Sequence, residues 1–125
     1  MLTRRLALTA ALLLLAGCAS APRPVLAPAT PLGELEPLYG AQAGRLGLTV
    51  RVASNGCTRK EDFAHFVERR GEGTTLAFGR KRLDDCKSFA MGQVSLVFTY
   101  DELGVEAGAP IFLLNPMVAW TGPGS

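Results

Sequence analysis

The chain has 125 residues, of which 48% are hydrophobic and 19% are charged. Its thirteen Lys and Arg exceed its eleven Asp and Glu by two, and Arg4 and Arg5 account for that excess. The rest of the chain is formally neutral, which argues against the strongly basic surface typical of nucleic-acid-binding proteins.

The first seventeen residues combine a basic start with a short apolar stretch. Residues 6–16 (LALTAALLLLA) have the length of a secretory signal and are too few to span a bilayer as a helix. The stretch ends in Leu15-Ala16-Gly17-Cys18, which resembles the lipobox of bacterial lipoproteins. The resemblance implies that residues 1–17 are a signal peptide cut before Cys18, and that the Cys18 thiol carries a diacylglyceryl group.

The same resemblance implies a place in the cell envelope. Two or three acyl chains on one residue make a stable membrane anchor, whereas a single chain binds only reversibly. Ala19 follows the cysteine where lipoproteins retained at the inner membrane often carry Asp. We therefore expect the outer membrane of a Gram-negative cell, with the protein facing the periplasm. An ordinary secretory signal that is cleaved elsewhere is the alternative.

Residues 18–31 are interpreted as the lipidated N-terminus followed by a tether. Segment 19–31 (ASAPRPVLAPATP) contains four of the eight prolines and no periodic apolar pattern, as is typical of an extended linker. At about 3.1 Å per residue, it could hold a domain roughly 40 Å from the membrane. Val25 and Leu26 would make the contacts if part of it packs on the domain instead.

Residues 32–125 are predicted to form a single globular domain dominated by alternating apolar and polar residues. The alternation predicts half-buried strands at 46–52 (LGLTVRV), 74–80 (TTLAFGR) and 93–100 (QVSLVFTY). Residues 111–114 (IFLL) have no polar member and predict a more fully buried strand.

Two other segments of the domain are less regular. Residues 62–69 (DFAHFVER) have large apolar residues at helical spacing, but their aromatic and branched content favours a strand. Gly71 and Gly73 also favour the strand, because they allow a turn directly into the next strand. The helix stays open as an alternative. Residues 32–44 are interrupted by glycines and a proline and predict at most a short turn.

Five short strands at nearly regular spacing predict an all-β fold. We expect a small antiparallel β-sandwich or partly open barrel of about five or more strands. A domain of roughly ninety residues buries only a small core. Cys57 and Cys86 would close a loop for which chain entropy gives about 3–4 kcal/mol, so the sequence predicts one disulfide that staples the fold.

Two alternatives to the disulfide follow from the same cysteines. With His65, the only histidine, Cys57 and Cys86 could form a copper or zinc site. The two thiols could also be free or redox-active, although the Cys-x-x-Cys spacing that lowers a thiol pKa does not occur.

Two basic clusters, Arg69-Arg70 and Arg80-Lys81-Arg82, flank the predicted strand at 74–80. If that strand forms a hairpin with the preceding one, we expect both clusters to make one basic edge of the sheet. Such an edge would bind an anionic lipid, an anionic glycan or an acidic envelope protein. The alternative interpretation is a solvated strand end that resists unwanted pairing.

The sequence contains no recognisable catalytic motif. The adjacent carboxylates Asp84-Asp85 and Asp101-Glu102 would point to opposite faces of a strand, so neither pair is arranged for acid–base chemistry. We expect neither an enzymatic activity nor a cofactor. The predicted function is that of a lipid-anchored envelope lipoprotein with a small non-enzymatic binding or structural domain. A metal-handling protein that uses His65 with Cys57 and Cys86 is the alternative.

Overall fold

The computed structural model describes residues 32–123. The predicted signal peptide, the lipid attachment at Cys18 and the tether lie outside the described residues. The described strands and helices, in chain order, are β1 (Gly40–Ala43), β2 (Gly47–Ser54), a 3-10 turn (Lys60–Asp62), β3 (Phe63–Arg70), β4 (Gly73–Arg80), β5 (Gly92–Thr99), α1 (Tyr100–Leu103) and β6 (Ile111–Leu113). Between residues 32 and 123, no helix is both long and apolar enough to cross a membrane.

The six strands form two three-stranded sheets, which confirms the predicted all-β class. The first sheet has the order β1-β2-β5, and its neighbours are antiparallel. The second has the order β3-β4-β6, in which β3 is antiparallel and β6 parallel to β4. The parallel pair departs from the expected antiparallel pattern, because the chain leaves β4 to form β5 in the other sheet before it returns as β6.

The hydrophobic core lies between the two sheets. Its most deeply buried side chains are Leu38, Val50, Val52, Leu76, Phe78 and Leu103. The ring of Phe78 on β4 meets that of Phe98 on β5 with centroids 4.9 Å apart, which joins the sheets through an aromatic pair. The inward positions predicted from alternation in β2, β4 and β5 are confirmed within the strands. Full burial of each such side chain contributes about 1.5–3 kcal/mol.

Several local features differ from the sequence-based expectations. Leu46 precedes β2 and is exposed, although it continues the alternation of that strand. Phe112 is 60% exposed because it lies on the outer face of β6, between the partly buried Ile111 and Leu113, so the more fully buried strand predicted at 111–114 is wrong. Its ring covers Gly73, where an added Cβ would lie 2.5 Å from a ring carbon. The ambiguous segment 62–69 is a strand from Phe63 onward, as favoured, and Asp62 ends the 3-10 turn before it.

The segment before β1 links the two sheets along one side. The Glu36 N–H donates to the Phe78 carbonyl (3.0 Å), and Leu38 bridges to Met117. The buried side chain of Asn115 lies between this segment and β4. Its Oδ1 accepts from the Phe78 N–H, and its Nδ2 donates to the carbonyls of Phe78 and Glu36, each at 2.8 Å. The Asn115 side chain therefore replaces a strand partner at this position.

Replacement of Asn115 by alanine is expected to destabilise the domain strongly. Asn115→Ala would leave the Phe78 N–H and the Glu36 carbonyl without these partners and the Phe78 carbonyl with only the Glu36 N–H. We expect the free energy of unfolding to fall by about 2–4 kcal/mol. Urea denaturation measures the loss. Gln42→Ala at an exposed position of β1 is the matched control, with an expected change below about 0.5 kcal/mol. Equal stability of the two variants would contradict this role of Asn115.

Candidate functional site

The disulfide and a network of polar side chains lie together at one end of the domain. At this end β2 and β4 finish, and the 81–91 loop connects β4 to the start of β5. Cys57 and Cys86 are bonded to each other, with their Cα atoms 5.8 Å apart, as is usual for a disulfide. The predicted disulfide is therefore confirmed, and this region is called the disulfide end below.

The carboxylate of Asp84 organises the loops at the disulfide end. It accepts five hydrogen bonds of 2.7–3.1 Å, from the hydroxyls of Ser54 and Thr58 and from the backbone N–H groups of Asn55, Cys57 and Cys86. These donors favour the ionised form. Led by the Thr58 hydroxyl, they hold the pKa of Asp84 well below its ordinary value of 3.8.

Arg80, at the end of β4, connects the two sheets through its guanidinium. Its Nε and Nη2 donate to the Glu36 carboxylate at 3.1 and 2.6 Å, and Nη2 also donates to the Ala53 carbonyl on β2 at 2.9 Å. The two charged side chains are only 13% and 11% exposed. A charge pair so little exposed to solvent loses most of its hydration. The hydrogen bonds from Arg80 to Glu36 and Ala53 offset that cost.

Thr58 joins the Arg80 pair to Asp84 in one continuous network. The Thr58 hydroxyl accepts from Arg80 Nη1 at 3.2 Å and donates to Asp84 at 2.7 Å. The sequence placed Asp84 beside Asp85 in a pair not arranged for acid–base chemistry and did not predict this structural role. One feature of the sequence could have indicated it. The Ser54-Asn55-Gly56 turn and Thr58 just beyond it offer several hydrogen-bond donors, which a carboxylate next to the other cysteine can accept.

The two basic clusters do not form one edge, so that prediction is wrong. In the β3–β4 hairpin, Arg70 pairs with Gly73 and Arg80 pairs with Phe63. An antiparallel hairpin places the end of its first strand beside the start of its second. Arg69 and Arg70 therefore lie at the turn, and Arg80 lies at the opposite end, roughly 23 Å away at about 3.3 Å per residue.

The five arginines and lysines of these clusters have three different environments. Arg69 and Arg70 are exposed and form loose surface ion pairs with Glu106 and Glu68. Arg80 belongs to the buried network. Lys81 and Arg82 are exposed at the start of the 81–91 loop, where Arg82 Nη1 lies 4.0 Å from Asp62. Of these five residues, Lys81 and Arg82 are the two that present positive charge at the disulfide end while lying outside the network.

The metal site proposed with His65 is not assembled. His65 is exposed on β3, paired with Phe78, and both cysteines are consumed by the disulfide. The third ligand-type side chain near the two sulfurs is Asp84, with all three ligand atoms within 4.8 Å of one another. Its carboxylate is already occupied by five donors, which favours a structural role.

Among the surface depressions of the described residues, one borders the network and another lies beside β1. A pocket of about 280 Å³ lies against the network and is walled on its loop side by Leu83 and Met91. A wider groove of about 620 Å³ runs between β1 and the segment 107–111 and is lined mainly by small and aliphatic side chains. In the first pocket, the polar groups of the network bond to one another, and the loop contributes apolar surface.

The burial of Arg80 predicts a large difference between two arginine substitutions. Arg80→Ala leaves the Glu36 carboxylate buried without its cation, and we expect the free energy of unfolding to fall by about 3–5 kcal/mol. Arg69→Ala removes only an exposed ion pair and should change it by less than about 1 kcal/mol. Thermal and urea unfolding of both variants provide the comparison. Similar losses would contradict the assignment of Arg80 to the buried network.

The lowered pKa of Asp84 predicts how its contribution depends on pH. The carboxylate favours the folded state at pH values above 3.8, and this contribution is lost as the pH falls from there through the lower pKa of the folded state. Asp84→Asn should therefore be less stable than the wild type at neutral pH, with a difference that narrows in acid. Urea denaturation between neutral pH and pH about 2 measures it.

The adjacent, exposed Asp85 supplies the matched control for the pH experiment. Asp85→Asn should change the free energy of unfolding at neutral pH much less than Asp84→Asn does. A stability difference for Asp84→Asn that stays constant down to the lowest pH would rule out the ionised carboxylate as the group that matters.

The chain was compared with models of protein families, with curated proteins and with solved structures. None of the three comparisons returned a significant match. The functional inference therefore depends on the residues of this chain and on the geometry described above.

Proposed function

We propose that the protein is a lipid-anchored lipoprotein of the bacterial envelope, whose small β-domain binds or supports an envelope component and catalyses no reaction. The observation that carries the proposal is Leu15-Ala16-Gly17-Cys18 at the end of a short apolar stretch. In this proposal Cys18 is the first residue of the mature chain, and its acyl chains hold the protein at the membrane.

The disulfide supports export to an oxidising compartment. Such bonds persist in the periplasm and are rare where thiols are kept reduced. Together with Ala19 after the acylated cysteine, it favours a domain that faces the periplasm from the outer membrane. The partner in this proposal is an envelope protein, or an anionic glycan or lipid, that meets the exposed surface of the domain.

The arrangement at the disulfide end supports a structural or binding role. Asp84, Thr58 and Arg80 use their polar groups on each other and on neighbouring backbone, so they fix the loops in place. Fully satisfied buried polar networks rigidify a fold in this way. A rigid end suits a surface that must present the same side chains to a partner each time.

Intact mass of the mature protein purified from membranes tests the anchor. We expect a chain that begins at Cys18 and carries acyl mass, because the signal would be cut before the modified cysteine. Alkylation should add no group before reduction and two groups after it, one each at Cys57 and Cys86.

Cysteine variants separate the anchor from the disulfide in this measurement. Cys18→Ser should lose the acyl mass, whereas the double variant Cys57→Ser and Cys86→Ser should keep it. An unlipidated wild-type chain would refute the proposed anchor, and two thiols already free before reduction would refute the disulfide.

A further inference from the structure

The 81–91 loop exposes three large apolar side chains to solvent. Leu83 is 82% exposed, Phe89 is fully exposed and Met91 is about half exposed. Within residues 32–123, eight large apolar residues are exposed, and this one loop holds three of them. Leu83 and Met91 wall the same pocket, and Phe89 lies two residues before Met91. This concentration in one loop marks an interaction surface, since scattered single apolar residues are the ordinary case.

The backbone of the loop is fixed, so the apolar side chains are presented to solvent by a rigid frame. The Lys81 N–H donates to the Asp62 carbonyl at 2.7 Å at the start of the loop. Asp84 and the Cys86 disulfide hold its middle, and Gly92 pairs with β2 at its end. These contacts hold the loop at residues 81, 84, 86 and 92, on both sides of Leu83 and on both sides of Phe89.

Positive charge accompanies the apolar side chains. The loop contains three exposed basic residues, Lys81, Arg82 and Lys87. The negative charge of Asp84 is satisfied by its five hydrogen-bond donors, so Asp85 is the exposed acidic residue of the loop. Apolar side chains that enter a bilayer interface, with lysine and arginine at the anionic headgroups, are typical of peripheral membrane contacts.

The chain enters the domain at the same end as this loop. The backbone around Leu32 lies over Gly79, where an added Cβ would be 3.1 Å from the Leu32 Cβ and 3.4 Å from the Glu34 carbonyl oxygen. Gly79 immediately precedes Arg80, and the loop follows directly. Even fully extended, at about 3.3–3.6 Å per residue, residues 19–31 reach at most about 45 Å. An anchor at Cys18 therefore keeps residue 32, and the loop at the same end of the domain, near the bilayer.

We propose that the 81–91 loop is a second membrane contact, with Leu83, Phe89 and Met91 in the interface of an anionic bilayer and Lys81, Arg82 and Lys87 at its headgroups. The inference rests on the proposed Cys18 anchor. Tethering gives the loop a high effective concentration at the membrane surface, so even a weak contact between loop and bilayer is populated. The contact turns the disulfide end towards the membrane. The β3–β4 turn, with Arg69 and Arg70, then faces away from it.

A tryptophan placed in the loop tests this orientation in the intact acylated protein. The mature protein is purified from membranes, its acylation is checked by mass, and it is reconstituted in vesicles of phosphatidylethanolamine and phosphatidylglycerol. In Phe89→Trp, emission should move to shorter wavelength, and lipids with brominated acyl chains should quench most of the added fluorescence. The signal of Trp120 is subtracted using the wild type.

Phe112→Trp is the matched control, because Phe112 is also exposed but covers Gly73 at the opposite end of β4. Its emission should be unaffected by brominated lipid. In the Phe89→Trp background, Lys81→Glu with Lys87→Glu should reduce quenching several-fold, whereas Arg69→Glu with Arg70→Glu should not, since those arginines lie at the hairpin turn. Vesicles of phosphatidylcholine alone should also give weaker quenching.

The possible outcomes distinguish this inference from the proposed anchor. If acylated Phe89→Trp is quenched no more than acylated Phe112→Trp, the membrane contact is overturned and the anchor is left intact. The apolar loop would then be a surface for a protein partner. A chain without acyl mass would overturn the anchor and, with it, the inference that depends on it.

Discussion

The arrangement of this domain depends on one buried guanidinium. Arg80 ends the central strand of the second sheet, and it reaches the N-terminal segment through Glu36, the first sheet through Ala53 and the disulfide end through Thr58. Few side chains other than arginine can donate in so many directions from one planar group. The core alone leaves the ends of the two sheets unconnected, and Arg80 fixes their relative position at the disulfide end.

The same short run of sequence divides its charges between two tasks. Arg80 is withdrawn into the network, while Lys81 and Arg82, the next two residues, remain in solvent. The division follows from where β4 ends: a strand residue beside the other sheet finds partners, and the loop residues beyond it do not. A count of basic residues along the sequence therefore overestimates the positive charge available to a ligand. Here the overestimate is Arg80, whose charge is used inside the fold.

Local patterns were enough to predict β2, β4, β5 and the disulfide, because alternation and cysteine parity are properties of the sequence itself. The strand β1 was missed because Gly40–Ala43 has no large apolar residue, and its pairing comes from β2. The role of Asp84 was missed because its donors lie up to 30 residues away and depend on which loops meet. The prediction of a single basic edge was wrong because an antiparallel hairpin places the two clusters at opposite ends. This could have been worked out from the sequence once the hairpin was assumed.

The parallel pairing of β6 has a consequence for the order in which the domain folds. The β3–β4 hairpin closes over a two-residue turn, whereas Asn115 meets Phe78 across 37 residues and Glu36 across 79. Closure of long loops costs more chain entropy, so contacts with large sequence separation form slowly and late. The hairpin is thus suited to act as an early nucleus. We expect β6 to pair with β4 only after the hairpin has formed, because the chain between them first passes through the other sheet as β5.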